Sequence, residues 1–203
     1  MLSIATSSHW PIRQLDISNV FLHGFIDSDI YMEQPIGFQD SAHPDYVCKL
    51  SKSLYGLKQA PRAWFHRLTS FLQDLGFQAS KADSSLFILH QGALKFYVLI
   101  YVDNILLTCS NSTKLDWFLS KIKSTFPVRD LGSLHFFLGI EAQFLADGLL
   151  ITQRKYITDL LANFNMSNCK PYYTPLSTSP PLSKLSGDPL SNAEQYRQVV
   201  GSL

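Results

Sequence analysis

The sequence predicts an α+β domain with a mostly antiparallel sheet and packed helices. Short runs rich in β-branched and aromatic residues alternate with segments whose apolar residues recur at helical spacing. Turn signals at Gln91-Gly92 and Asp147-Gly148 join neighbouring runs directly, which predicts hairpins and therefore antiparallel pairing. With 203 residues, 46% of them hydrophobic, the chain is long enough to bury the core of one medium-sized domain.

The amino-terminal part of the chain supplies the first strand and the first long helix. Pro61 suits the first turn of that helix, because the N–H that proline lacks would have no partner there. Apolar residues then recur at helical spacing from Trp64 until Gly76 ends the helix. The other elements expected here are a helix over residues 1–10, a strand over Ile12–Ile17, a turn or short helix in 18–24, and a short strand over Tyr46–Leu50.

The remaining chain alternates strands with helices and then changes composition. Thr152 is expected to cap a helix that carries Ile157 and Leu160. The other elements expected are strands over Leu86–Leu89, Phe96–Val102 and Ile105–Cys109, a helix through Thr113–Phe126, and a second hairpin of Leu134–Phe144 with Leu149–Thr152. We assign residues 1–167 to the domain, the Pro-, Ser- and Thr-rich residues 168–190 to a linker or strap, and 191–203 to the truncated start of a following helix.

Composition restricts the compartment and the partners. The formal net charge is +1, so any nucleic-acid surface must be local. Cys48, Cys109 and Cys169 are odd in number and far apart, which predicts reduced, buried thiols of an intracellular protein. No apolar run approaches the roughly 20 residues of a membrane span, and no secretory leader is present. We therefore expect an intracellular protein, cytoplasmic or nuclear, that is neither secreted nor bound to a membrane.

Two carboxylates at strand ends are candidates for a metal site. Asp103 lies between two apolar runs, where a charged group is costly without a cation, and Asp16 ends a short apolar strand. Such a pair can hold two Mg²⁺ ions for phosphoryl transfer, although each residue also suits an ordinary turn. Asn104 occupies the position at which a further carboxylate would have made a stronger metal site.

A loop with two cations leads into the predicted helix at Pro61. The segment LYGLKQAPRAW, residues 54–64, places Lys58 and Arg62 beside the start of that helix, where phosphates can bind. The same residues also suit an ordinary helix start with solvated charges. Chemistry alone leaves both interpretations open.

Four blocks occur in a fixed order: QLDISNVFLHG at 14–24, IYMEQPIGF at 30–38, LYGLKQAPRAW at 54–64 and YVDN at 101–104. Together they resemble the reverse transcriptase of copia-type LTR retrotransposons, over nearly the whole chain. The resemblance implies the right-hand palm of polymerases with part of the fingers, two Mg²⁺ ions as cofactors, and an RNA or DNA template–primer and dNTPs as partners. It also implies a natural context in a Pol polyprotein with integrase and RNase H.

The resemblance also implies roles for individual residues. Asp16 and Asp103 would bind the metal ions together with the backbone carbonyl of Ile17. Phe21 would lie under the sugar of the incoming nucleotide and exclude a 2′-OH, unless it is a plain core residue. The remaining assignments are Lys58 and Gln59 near the nucleotide and Tyr101, Phe137, Leu138 and Gly139 at the primer end.

Departures from the family pattern predict impaired activity. The family has Tyr-Val-Asp-Asp at the hairpin tip, whereas this chain ends the motif with Asn104. Losing one of three carboxylates weakens the attraction for two divalent ions. The chain also starts after the family's basic fingers hairpin and stops before its connection and RNase H, so we expect a palm-centred fragment.

Three functions therefore compete. The first is a fragment of an RNA-directed DNA polymerase, which performs two-metal nucleotidyl transfer with reduced or absent activity. The second is an inactive retroelement remnant that binds template–primer weakly or has no function. The third, a two-metal nuclease, needs a further acidic cluster and a base for water, and the sequence offers neither.

Overall fold

A computed structural model of the chain describes residues 1–171, 173, 187, 188, 190 and 192–202. The helices are α1 (Leu2–Ser7), α2 (Ala60–Asp74), α3 (Ser112–Thr125), α4 (Arg154–Asn163) and α5 (Ala193–Ser202), with a 3₁₀ turn at Val20–His23. The strands are β1 (Ile12–Ile17), β2 (Tyr31–Glu33), β3 (Val47–Lys49), β4 (Gln78–Ala79), β5 (Leu86–Gln91), β6 (Leu94–Tyr101), β7 (Asn104–Cys109), β8 (Val128–Ser133), β9 (Phe136–Phe137), β10 (Ile140–Leu145) and β11 (Gly148–Thr152).

The described strands form three antiparallel sheets. The largest has six strands in the order β4-β5-β6-β7-β1-β8, and the smaller ones are β11-β10-β9 and β2-β3. Although β1 is the first strand of the chain, it lies between β7 and β8, which come much later. The predicted mixed helix-and-strand class with antiparallel sheets is confirmed.

The six-stranded sheet separates two apolar cores because side chains alternate along each strand. Leu15 and Ile17 of β1 enter the larger core, which also contains buried residues of α2 and α3 such as Leu68 and Phe118. Ile12 enters the smaller core on the other face, with residues of α1 and of β9 and β10. Asp16 is two places from Gln14 and four from Ile12, so all three share the face that α2 and α3 leave uncovered.

Gly24 allows the segment after the 3₁₀ turn to lie directly against α2. A Cβ atom at this position would come within 2.8 Å of the Ala63 Cβ and 2.9 Å of both the Ser53 Oγ and the Trp64 backbone nitrogen. We expect Gly24→Ala to lower the free energy of unfolding by about 1–3 kcal/mol, because two of these atoms belong to well-packed elements. Urea denaturation measures the change. Gly148→Ala is the matched control, since its Cβ would have no atom within 4 Å, and an equal loss in both variants would contradict the packing argument.

Asp130 links β8 to β1 and α3. Its carboxylate accepts hydrogen bonds from the Arg13 guanidinium at 2.7 Å, the Gly132 N–H at 3.0 Å and the Lys123 ammonium at 3.2 Å. Burial raises the pKa of Asp130, but these three donors outweigh burial and hold the pKa below its ordinary value. The folded protein therefore binds this proton less tightly than the unfolded chain does.

It follows that the free energy of unfolding decreases as the pH falls below about 4, the ordinary pKa of an aspartate, towards the lower pKa of the folded state. We expect Asp130→Asn to lower stability at pH 7 and to flatten this acid limb, in urea unfolding at pH 7, 5 and 3. Asp74→Asn is the control, because Asp74 is exposed and forms no ion pair within the described residues. If Asp130→Asn still loses stability steeply at low pH, that loss is caused by other carboxylates.

The structure corrects the prediction for residues 134–144. The expected single strand is two strands, β9 and β10, because Leu138 and Gly139 have φ values of +51° and +81° and form a turn between them. The preceding strand β8 was not predicted, since Arg129, Asp130 and Gly132 hide its alternating burial. Arg129 and Asp130 project to opposite faces of β8, and charged side chains on an edge strand are compatible with pairing, so the polar composition did not exclude a strand.

Several smaller expectations were also wrong. Thr152 does not cap α4: its hydroxyl donates to the Glu141 Oε2 at 3.3 Å, and the helix begins after Gln153 without a side-chain cap. The first helix ends at Ser7, well before residue 10. Cys109 is buried as expected, but Cys48 is only half-buried and Cys169 is exposed.

The predicted linker and terminal helix lie only partly within the described residues. Most of residues 168–190, together with Ser191 of the predicted capping box, lie outside the described residues. The helix that follows does form, as α5, and the Asn192 side chain accepts the Glu194 N–H at 3.0 Å. Among the helices that the structure describes, none has the length and apolar content needed to cross a bilayer.

Candidate active site

Four polar side chains form a row across the large sheet. Tyr101 of β6 lies opposite Asn104 of β7, Asn104 lies opposite Asp16 of β1, and Asp16 lies opposite Arg129 of β8. Residues directly opposite each other project to the same face, and neighbouring strands are about 4.8 Å apart. The row therefore places an aromatic, an amide, a carboxylate and a guanidinium side by side on the face away from α2 and α3.

The tip between β6 and β7 is a two-residue turn of Val102 and Asp103. Val102 has a φ of +54°, a left-handed conformation that is strained for a β-branched residue. The buried Trp64 of α2 donates its indole N–H to the Val102 carbonyl at 2.8 Å. On the other side, the Ile17 N–H donates to the Asp103 carbonyl at 2.9 Å. The tip is thus held between α2 and the end of β1.

Asp103 and Asn104 interact with each other. The Asn104 Nδ2 donates to the Asp103 Oδ1 at 3.0 Å, and both side chains are partly buried. The amide therefore occupies a lone pair that a metal ion would otherwise use, and it adds no negative charge. Arg129 reduces the local negative charge further, because it lies across from Asp16 on the adjacent strand.

The oxygen atoms at the tip fit a hard divalent cation. Mg²⁺ is usually held by one or two carboxylates together with waters and substrate phosphates, and Asp16 and Asp103 supply two carboxylates. Within the part of the chain that the structure describes, however, no group of three or more His, Cys, Asp or Glu residues could hold a metal. The two carboxylates therefore suit Mg²⁺, but they carry less negative charge than a third carboxylate would provide for a pair of ions.

Phe21 lies in the 3₁₀ turn, five residues after Asp16. Its ring meets the Tyr55 ring edge-on, with 5.0 Å between the centroids, and it packs against the larger core. The Ser53 hydroxyl donates to the Phe21 carbonyl and fixes the backbone of the turn. Phe21 is only partly buried, so part of its surface remains accessible.

Lys58 and Gln59 are exposed at the start of α2. Gln59 donates its Nε2 to the Ser28 Oγ at 3.1 Å. Among the described residues, no hydrogen bond or ion pair joins Lys58 or Gln59 to Asp16 or Asp103. The contact between α2 and the hairpin tip runs through Trp64 instead.

The segment Phe137-Leu138-Gly139 reaches the same face as Asp16. The Gln14 side chain, buried in β1, donates to the Phe136 carbonyl at 2.9 Å and holds β9 over the sheet. The Phe137 side chain is 9% exposed and belongs to the smaller core, whereas Leu138 is exposed in the turn. Only the turn, and not the Phe137 ring, is available to a ligand.

Sequence reasoning missed Arg129, Trp64 and Gln14 as parts of this region. Arg129 went unnoticed because its strand was not predicted. Trp64 was read only as an apolar residue of a helix, and nothing in the sequence shows where its N–H points. The amide of Gln14, two positions from the apolar Ile12 on the same face of β1, was the available signal for a buried contact.

The chain matches the family model described as reverse transcriptase (RNA-dependent DNA polymerase) over residues 1–178, and it belongs to that family. Several of its relatives are polyproteins of mobile elements. It is 50% identical over 203 residues, its whole length, to the retrovirus-related Pol polyprotein from transposon RE1 of Arabidopsis thaliana, and 47% identical over the same length to that from transposon RE2. It is 36% identical over 187 residues, 91% of the chain, to the corresponding polyprotein from transposon TNT 1-94 of Nicotiana tabacum.

These relatives confirm the predicted copia-type resemblance, and the chain carries the reverse transcriptase domain of a retrotransposon Pol polyprotein. It spans 14% of the length of each of the three polyproteins.

Proposed function

We propose that residues 1–167 form the palm and part of the fingers of an RNA-directed DNA polymerase that joins dNTPs to a primer on an RNA or DNA template. The observation that carries this proposal is the register that brings Asp16 beside the tip residues Asp103 and Asn104. Residues 168–190 serve as a linker, and 191–203 begin the next helix. The natural setting is an intracellular polyprotein with integrase and RNase H.

In this proposal the Asp16 and Asp103 carboxylates and the Ile17 carbonyl hold Mg²⁺. When bound, two such ions activate the attacking oxygen and neutralise charge on the leaving group. The protein residues orient the reactants: the Phe21 ring excludes a 2′-OH, and Lys58 and Gln59 contact the nucleotide.

The primer end is positioned by Tyr101 and by the backbone turn at Leu138 and Gly139. This differs from the assignment implied by the sequence, in which Phe137 also faced the primer, because the Phe137 side chain is buried.

The same geometry supports impaired activity. Asn104 removes a negative charge beside Asp103 and donates a hydrogen bond to its carboxylate, so both effects disfavour a cation. The second candidate function is therefore an inactive remnant that binds template–primer weakly. If the logarithm of the binding constant falls linearly with the logarithm of salt concentration, phosphate contacts are retained. No binding at low salt indicates an inert product.

Primer extension tests the assignment. The aligned segment of the RE1 polyprotein is replaced by this chain carrying Asn104→Asp, and extension of a DNA primer on an RNA template is measured. We expect extension that Asp16→Asn abolishes. If the folded chimaera, judged by circular dichroism, extends no primer, the polymerase assignment for these residues is wrong.

A further inference from the structure

A buried glutamine joins the strand that carries Asp16 to the segment that leads into the turn at Leu138. Gln14 is only 5% exposed, and its side-chain amide donates to the Phe136 carbonyl at 2.9 Å. The two residues are 122 positions apart in the chain. The contact therefore links two parts of the candidate site that are distant in sequence.

A second hydrogen bond ties the same two segments together. The Leu134 N–H donates to the Ile12 carbonyl at 3.1 Å, where β1 begins. Among the described residues, the hydrogen bonds between 12–17 and 134–139 are this one and the bond from Gln14. The position of the turn relative to β1 therefore depends on few polar contacts.

The two hydrogen bonds advance in step along both segments. The bond from Gln14 lies two residues beyond the bond to Ile12 on β1, and its partner lies two residues further along the second segment. Alternate residues of a strand share a face and are about 6.6 Å apart. The next step of two reaches Asp16 on β1 and Leu138 on the second segment. The amide is thus the last of these polar contacts before the carboxylate and the turn.

The surroundings of Gln14 are otherwise apolar. Its neighbour across the sheet on β7 is Leu106, and Ile12 lies two residues away on the same face; both are buried. Burying an amide costs free energy that its hydrogen bond offsets, so an apolar side chain of similar size would stabilise the fold about equally. Apolar packing has no preferred direction, whereas a hydrogen bond restricts both distance and angle. The amide therefore determines position more than stability.

We propose that Gln14 is a positioning residue for the primer end. Its hydrogen bond to Phe136 fixes the turn at 138–139 relative to the Asp16 carboxylate. This inference rests on the proposed function, in which the primer 3′ oxygen loses its proton and bonds to the α-phosphorus of the dNTP while pyrophosphate leaves. A primer end displaced by about 1 Å still binds but reacts on the order of 100-fold more slowly, because the attacking oxygen is no longer aligned.

Gln14→Met tests the proposal, because methionine is also unbranched and of similar length but has no N–H donor. The substitution is made in the RE1 chimaera that carries Asn104→Asp, and addition of a single nucleotide is measured. We expect kcat to fall on the order of 100-fold, with KM for the dNTP and the affinity for template–primer nearly unchanged, since the lost interaction only aligns the reactants. Gln14→Leu should give the same result, which excludes an effect particular to methionine.

Thr108→Val is the matched control. Thr108 is fully buried on the same face of the sheet, opposite Ile12, and its hydroxyl has no hydrogen-bond partner within the described residues. Its substitution removes a buried polar group without affecting the hydrogen bond from Gln14, so we expect kcat to stay unchanged. Urea unfolding compares the stability of all three variants with that of the parent.

Amide hydrogen exchange adds a measurement that does not depend on activity. In the chain as it is, Gln14→Met should speed exchange at residues 136–141, and Thr108→Val should not. Unchanged exchange, or an unchanged kcat in the folded Gln14→Met chimaera, overturns this proposal and leaves the polymerase assignment intact. An equal fall of kcat in Thr108→Val, or failure of both Gln14 variants to fold, would show a structural role instead. If the parent chimaera extends no primer, the polymerase assignment is wrong, and primer positioning is wrong with it.

Discussion

Asn104→Asp is expected to raise the affinity of the chain for Mg²⁺ and to raise primer extension on the order of 100-fold or more. The change adds a negative charge next to Asp103 and replaces an N–H donor with a metal ligand. At a partly buried site with an effective dielectric constant of about 20, two unit charges 4 Å apart interact by about 4 kcal/mol, and each 1.4 kcal/mol is about tenfold in affinity or rate. Isothermal titration with Mg²⁺ measures the affinity independently of activity.

Asn104→Ala separates the effect of the missing negative charge from the effect of the hydrogen bond that Asn104 donates to Asp103. It removes the N–H from the Asp103 carboxylate but adds no charge, so we expect affinity for Mg²⁺ to remain much closer to that of the original chain than to that of Asn104→Asp. If Ala and Asp increase the affinity equally, the hydrogen bond from Asn104 is the inhibitory feature. If neither does, the weak site has another origin, such as the charge of Arg129 opposite Asp16.

Trp64→Ala is expected to lower the free energy of unfolding by about 3–5 kcal/mol. Trp64 is 2% exposed, meets Phe126 edge-on with 5.3 Å between the ring centroids, and donates the hydrogen bond to the strained Val102. The substitution leaves a cavity beside Phe126 and His23 and releases the hairpin tip. Since whole domains are stable by only about 5–15 kcal/mol, the loss is a large share of the total.

Trp64→Phe isolates the hydrogen bond, because it keeps an aromatic ring but removes the N–H. We expect a loss of about 1–3 kcal/mol and faster amide exchange at residues 102–104. Trp117→Ala is the control: Trp117 is partly exposed on α3, so its removal should cost much less. Unchanged exchange at the tip in Trp64→Phe would show that packing, and not the indole N–H, holds this turn.

Elements with a strong periodic signal could be predicted from the sequence. The apolar repeat that starts at Trp64 became α2, and the run around Val98 became β6, because burial of one face or of both faces determines these elements. The family motifs predicted the residues of the candidate site. What the sequence did not contain was their spatial order, since pairing partners far apart in the chain leave no local signal.

The structure differs from the predictions made from the sequence where tertiary contacts outweigh local composition. Arg129 and Asp130 made residues 128–133 look like a loop, yet the ion pair of Asp130 with Arg13 and the pairing with β1 stabilise a strand there. The turn at Leu138 needs a positive φ in a non-glycine residue, which no propensity scale predicts. The Thr152 hydroxyl donates to the Glu141 carboxylate across the hairpin, and it does not cap α4.

The position of β1 also has a consequence for synthesis of the protein. The ion pair between Arg13 and Asp130 joins residues separated by 117 positions, and β1 cannot gain either neighbouring strand until β7 and then β8 have left the ribosome. Closing such long loops costs entropy before any pairing repays it, so high contact order should make this domain slow to fold. Until then both hydrogen-bonding edges of β1 are open to other chains, and co-translational aggregation is most probable during this interval.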